Sequence, residues 1–199
     1  MTKYLLAIIF IVHSACLFAQ ENVTVIQSKK IGNLQKALQE QGATAESDFW
    51  RDVSESGTPV VENVDEDSTY RYVTFILKAS PDTMTNAVVK FWSRAFFAHQ
   101  HFINTGRLSN LRGTSVWFKT IKFRNDVRVS YQFSINDPLT LLVGFNASDR
   151  HFIPDPLNKQ KFAALEGESS ILELDHAPAQ PWINKIPNVP EGKIIHDTL

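Results

Sequence analysis

His99 and His101, in the stretch FFAHQHF, stand two residues apart, so on a strand both imidazoles would leave the same face and could share a metal ion. No third ligand stands nearby at a comparable spacing, and the pair is expected to be loop histidines without a metal. Arg107 and Arg112, in TGRLSNLRGTSVWF, offer different chemistry. Two guanidinium groups beside Trp117 could hold an anionic aromatic ligand through charge and stacking, the alternative being ordinary exposed arginines on a loop. Nucleophilic serine chemistry on an α/β-hydrolase sheet would announce itself as G-x-S-x-G, a string the chain does not contain. The nearest serine to a glycine turn is Ser115, in Gly113-Thr114-Ser115, and it leads into a strand pattern, so it reads as the start of a hairpin.

Asp65, Glu66 and Asp67 form an acidic run with no apolar neighbour to raise a pKa and without the oxygen spacing or turn glycine of a calcium loop. They are expected to be solvated surface. The whole chain of 199 residues carries 20 basic and 21 acidic side chains, too even a balance for gripping a phosphate backbone, and nucleic acid is excluded as a natural partner. Fourteen Phe and four Trp provide core material for one domain with appendages.

The first residues, MTKYLLAIIFIVHSACLFAQ, have one Lys, an apolar stretch and then small residues, the layout of a secretory signal peptide cut after Ala19. The apolar stretch is short for a membrane span. A lipoprotein lipidated at Cys16 is the alternative, set against His13 in a place that favours an aliphatic residue. Cys16 is the only cysteine, so the mature chain would have no disulfide and no thiol nucleophile. Loss of residues 1–19 removes Lys3 and leaves 19 basic against 21 acidic residues, a mildly acidic exported protein, with the periplasm as the expected compartment.

In the stretch from Ser28 to Gly42, Ile31, Leu34 and Leu38 recur at helical spacing between an N-cap serine and a stop glycine. A second helical stretch is expected around Phe49, Trp50 and Val53, ending at Gly57-Thr58-Pro59. The period then falls to two. TPVVE, YRYVTFILK, AVVKFWS, SVWFKTIKF and VRVSYQFSI read as strands, with a further short one near Leu141 to Phe145. YRYVTFILK is apolar on both faces, as a central strand would be, whereas VRVSYQFSI alternates as if one face met a core and the other met water. With no long helices between strands, an antiparallel β-sandwich is expected. After Asn136 the pattern loosens, and Pro178, Pro181, Pro187 and Pro190 punctuate what reads as a semi-extended linker.

The order of GTSVWFKTIKFRNDVRVSYQFSIND, DPLNKQKF and SSILELDHAPAQPW resembles the N-terminal domain of bacterial enterochelin esterases, over roughly Phe49 to Trp182. The combination of G-T-x-V-W, D-P-L-N and S-x-L-E-L with A-P-x-Q-P-W is what makes the resemblance specific. It implies an immunoglobulin-like early-set β-sandwich followed by an α/β-hydrolase domain, the pair hydrolysing the trilactone backbone of catecholate siderophores to release iron. With the signal peptide over 1–19 and the helical segment over 20–43 read from composition and spacing, the resemblance implies the remaining divisions: the sandwich over 44–154, an extended connector over 155–190, and the opening strand of a hydrolase domain over 191–199. Asp155, Pro156, Leu157, Asn158, Leu172, Leu174 and Trp182 would dock the sandwich onto that domain, whether joined to it in one chain or met as a separate one.

The resembled family's catalytic residues map onto no position here, so the chain is expected to be inactive by itself as an esterase and to shape the substrate cleft. Arg107, Arg112 and Trp117 would be the ligand contacts, with a ferric siderophore or another ester as substrate and no resident cofactor. The rival expectations are a carbohydrate-binding module, with Trp92 or Trp117 stacking on sugars, and a purely structural domain.

Overall fold

The computed structural model describes residues 26–91, 105–139, 150–164 and 167–181. The signal-peptide segment, the strand expected near Leu141 to Phe145, His99, His101, Trp92 and Trp182 lie outside them.

Helix α1 spans Lys29–Gln41 and helix α2 spans Ala43–Ser56. The N-cap is Ser28, whose hydroxyl accepts the Ile31 amide at 3.3 Å, and Gly42 ends the helix with φ 61, a left-handed value that suits glycine. Because Gly42 is also the cap of α2, the two helices turn on one residue and bury Ile31, Leu34, Ala45, Phe49, Trp50 and Val53 together.

The rest is mainly β. Strands β1 (Val60–Val64), β2 (Asp67–Lys78), β4 (Ser109–Asn110) and β5 (Val116–Arg124) form one antiparallel sheet in the order β1-β2-β5-β4. Strands β3 (Ala87–Phe91), β6 (Arg128–Ile135), β7 (His151–Ile153), β8 (Lys161–Ala164) and β9 (Gly167–Glu173) form the second, in the order β3-β6-β9-β8, with β7 also on β6. All pairings are antiparallel.

The two apolar faces of β2 now have separate reasons. Val73, Phe75 and Leu77 enter the core between the sheets, with Trp117 and Phe123 of β5, Phe91 of β3 and Tyr131 and Phe133 of β6. Ile76 points the other way and joins Val116 and Phe118 beneath the helix pair. The first sheet is thus the middle layer of three, sealed on one side by the second sheet and on the other by α1 and α2. Phe75 centres the aromatic packing, edge-on to Tyr131 at 4.9 Å and to Phe91 at 5.4 Å between ring centroids.

Two expectations need correction. The face of β6 expected to meet water carries Gln132 and Ser134, which are buried. Gln132 reaches the Glu168 carbonyl at 2.8 Å, and beside this face Arg150 and Asp137 form a buried ion pair at 2.9 Å. Alternation shows which side chains share a face, but only the chain folded over that face decides whether water reaches it. Second, the residues expected to run as an extended connector after Asp155 supply β8 and β9, which belong to the second sheet. Beyond β9, the Leu174 and His176 amides bond the Val127 and Asn125 carbonyls, so the path from 174 to 176 stays against the β5–β6 turn.

Candidate functional site

Near Asp155 the chain concentrates buried polar groups. The Asp155 side chain is fully buried and accepts the Thr58 hydroxyl at 2.8 Å and the Leu157 amide at 3.0 Å on one oxygen, and the Tyr131 hydroxyl at 2.8 Å on the other. Asn158 donates to the Tyr131 hydroxyl and to the Ile171 carbonyl, each at 2.9 Å, and the Ser170 hydroxyl accepts the Asp155 amide at 2.8 Å. Burial pushes the Asp155 carboxyl up from its ordinary range, against the pull of the Tyr131, Thr58 and backbone donors. Burial raises the Tyr131 phenol as well, with the Asp155 charge adding to it.

This network joins the loop before β1, the centre of the second sheet and the loop before β8. It changes the reading of the expected docking residues: Asp155, Asn158, Leu172 and Leu174 lie inside the sandwich and offer no side-chain surface to another domain. Leu157 is half-buried against the helix-side core, and only Pro156 of the described set is exposed.

The helices are tied to the first sheet by a second polar cluster. The Ser115 hydroxyl donates to Glu46 at 2.5 Å and accepts the Trp50 indole at 3.0 Å, while the Ser115 amide donates to the same Glu46 oxygen at 2.9 Å. Burial opposes charge on Glu46, but the Ser115 hydroxyl and amide, the Trp50 indole and the Lys78 charge outweigh it and hold the carboxyl below its ordinary range. Ser115 opens β5 after a turn in which Gly113 has φ 78, as the hairpin expectation had it, and its hydroxyl is committed to the fold.

The ligand contacts expected from sequence separate. Trp117 is only 7% exposed, packs in the inter-sheet core and gives its indole hydrogen to the Ala79 carbonyl at 3.1 Å, so it is no free stacking platform for a sugar or a catechol. Arg112 lies on the exposed turn between β4 and β5. Arg107 lines an open groove of ≈ 490 Å³ with Leu108, Ser109, Asn110, Lys119 and the edge of Trp117, a set that does not include Arg112.

The backbone explains how Arg107 reaches that place. Residue 107 bridges to Val88, and the Leu108 amide donates to the Ala87 carbonyl at 2.9 Å, so this segment crosses from the edge of the second sheet to the edge of the first. Gly106 makes the crossing: a Cβ there would sit 2.4 Å from the Val89 carbonyl oxygen, closer than any side chain allows. Lys119 comes from β5, on the same strand face as Trp117 two residues before it. It is half-buried, and burial lowers its pKa. Sequence reasoning passed over it because a lysine in an alternating strand reads as solvent face.

The acidic turn behaves as expected, Asp65 pairing with Lys29 at 2.7 Å and Asp67 with Lys122 at 3.0 Å, all of them partly or fully solvated. Among the described residues no group of His, Cys, Asp and Glu could hold a metal ion, and no helix is long and apolar enough to cross a membrane.

What these features define is a helix-backed β-sandwich domain with its serine and carboxylate chemistry locked into packing and a cationic groove left open at one sheet edge. The family model described as enterochelin esterase, N-terminal, matches residues 72–183, more than half of the chain, and the chain belongs to that family. Among solved structures it is similar to the enterobactin esterase of Shigella flexneri in the presence of 2,3-dihydroxy-N-benzoyl-serine, at 23% identity and TM-score 0.54, over 73% of this chain and 40% of that one. The enterochelin esterase of the same organism matches at 25% identity and TM-score 0.53, over 72% and 39%. The ferric enterobactin esterase of Salmonella typhimurium matches at 23% and 0.53, over 72% and 40%. The chain therefore spans about 40% of the length of the solved structures it matches. No curated protein matches it.

Proposed function

We propose that this chain acts as the non-catalytic N-terminal domain of an exported siderophore esterase, shaping the cleft in which a catecholate trilactone is hydrolysed by an α/β-hydrolase domain. The observation that carries the reading is the match of the enterochelin esterase N-terminal family across both sheets of the sandwich. Supporting a non-catalytic role, the Ser115 hydroxyl is held by Glu46 and Trp50, and Asp155 by Tyr131 and Thr58, so these groups serve packing. Export rests on the signal-like composition of residues 1–19, and an immunoglobulin-like early-set class rests on the family resemblance. The Arg107 groove is the ligand contact of choice, because ferric catecholates carry net negative charge and aromatic rings. The burial of Trp117 counts against the carbohydrate reading.

The test is calorimetric titration of the purified chain with a ferric tris-catecholate siderophore and with soluble glucans, alongside an assay for ester hydrolysis. Binding of the ferric complex that weakens with salt and by about tenfold in Arg107→Ala, without turnover, is the expected outcome. Turnover of the ester by the chain alone, or affinity for glucans and none for the ferric complex, overturns the proposal.

A further inference from the structure

Within the described sandwich, the cationic side chains are almost all engaged. Arg71 pairs with Asp175, Arg124 with Asp126, Arg128 with Glu173, Arg150 with Asp137, Lys122 with Asp67 and Lys161 with Glu168. Lys78 lies over the Trp50 ring, Lys90 over the Phe152 ring, and Lys159 donates to the Glu55 carbonyl. Arg107 and Lys119 are the exceptions: among the described residues neither has an acidic, carbonyl or aromatic partner, and the two line one groove.

That coincidence has an energetic meaning. A half-buried ammonium loses part of its hydration and here receives no counter-charge in return, an arrangement that packing alone does not favour. An anion entering the groove would supply the missing interaction to both cations at once. Leu108 and Trp117 are themselves nearly buried, so the accessible lining of the groove is the two cations with Ser109 and Asn110 at the rim. The Asn110 amide already donates to the Thr114 and Val116 carbonyls, which holds that rim in place.

We infer that Arg107 and Lys119 form a carboxylate clamp at this groove, gripping an N-aroyl amino acid by its carboxylate. This rests on the reading of the chain as a siderophore-esterase domain and takes it one step further. An intact cyclic lactone has no free carboxylate, whereas each ester bond that is hydrolysed creates one. A clamp for carboxylates therefore favours ring-opened chains and released monomers over the intact ring, and places the groove on the product side of the hydrolysis. Arg supplies a bidentate fork and Lys a point charge, and a carboxylate accepts both on its two oxygens.

The probes are N-(2,3-dihydroxybenzoyl)serine and its methyl ester, the same aryl amide with and without the carboxylate charge, titrated into the full chain by calorimetry. The acid is expected to bind at least about tenfold tighter than the ester, and Arg107→Met or Lys119→Met is expected to remove that preference while leaving the weak affinity for the ester. Arg112→Ala, outside the groove, should leave the preference intact. Unchanged thermal midpoints in the Met variants show that the fold is retained. Equal affinity for acid and ester, or a preference that survives both Met substitutions, overturns the inference. A chain that binds the ferric siderophore yet ignores the carboxylate would sink the clamp and spare the functional reading, and a chain that binds neither sinks both.

Discussion

Replacing Asp155 with alanine removes the acceptor shared by Thr58, Leu157 and Tyr131, three donors brought together from loops and strands more than 20 residues apart in two of the three cases. Tyr131 is fully buried and Thr58 nearly so, which leaves hydroxyl groups facing a void with no replacement acceptor. At about 1–3 kcal/mol for each buried donor left unsatisfied, partly relieved where water enters, the loss should reach about 3–5 kcal/mol. Against a typical domain stability of about 5–15 kcal/mol, this is a third or more of the total. Asp155→Asn keeps the shape and one acceptor oxygen but turns an amide toward a Tyr131 hydroxyl that already accepts from Asn158, so it should cost less, about 1–2 kcal/mol. The assay is urea unfolding followed by tryptophan emission.

The pH dependence supplies an independent check. Burial places the folded-state pKa of Asp155 above its unfolded value of about 4, so its contribution is fully present below that pH and is lost as the pH rises through the folded value. Asp155→Asn has no such titration, and the stability gap between the two proteins should narrow as the pH rises from about 4. A gap that widens over this range, or an Asp155→Ala variant losing less than about 1 kcal/mol, would refute the account of this network.

Two further predictions concern other joints of the fold. Glu46 has the opposite sign: its folded pKa is depressed, so the tie between helices and sheet should be present above the unfolded value of about 4.3 and weaken as the pH falls through the folded one. Glu46→Ala, which removes the acceptor of the Ser115 hydroxyl and amide and leaves the Trp50 indole with the Ser115 hydroxyl alone, should cost about 1–2 kcal/mol at neutral pH and lower the melting midpoint by several degrees in calorimetry; an unchanged midpoint would contradict it. Gly106→Ala must push the crossing segment away from the Val89 carbonyl, at a cost of about 1–3 kcal/mol, and should weaken ligand binding in the Arg107 groove even where the fold survives. Full affinity in that variant would show that Arg107 does not depend on the crossing.

Local pattern was enough to place α1, α2 and the strands β1, β2, β3, β5 and β6, because periodicity, caps and turn residues act over a few positions. Ser28 and Gly42 bound α1 by bonds within one turn, and the doubled apolar faces of β2 were legible as the mark of a strand covered on both sides. The family was legible too, in the spacing of the β5, Asp155 and Ser169 stretches. Asp155 to Asn158 was different. Its Asp, Pro and Asn are turn formers by local chemistry, and nothing nearby in sequence indicates that Asp155 meets a tyrosine 24 residues away in the centre of a sheet. The same holds for β8 and β9, whose mixed polar composition carries no clear alternation and which become strands because β6 offers an edge to β9 and β9 in turn offers one to β8.

For the site, residue type identified Arg107 as a candidate cation and Trp117 as an aromatic, but not that the indole would be consumed by the core and the Ala79 carbonyl while Lys119 took its place at the groove. Charge, capping, turn and strand propensities are properties of short stretches, and sequence alone determined those. Burial, partner choice and the engagement of all but two of the cations in the described sandwich depend on contacts across tens of residues, and the packing of three layers decided them.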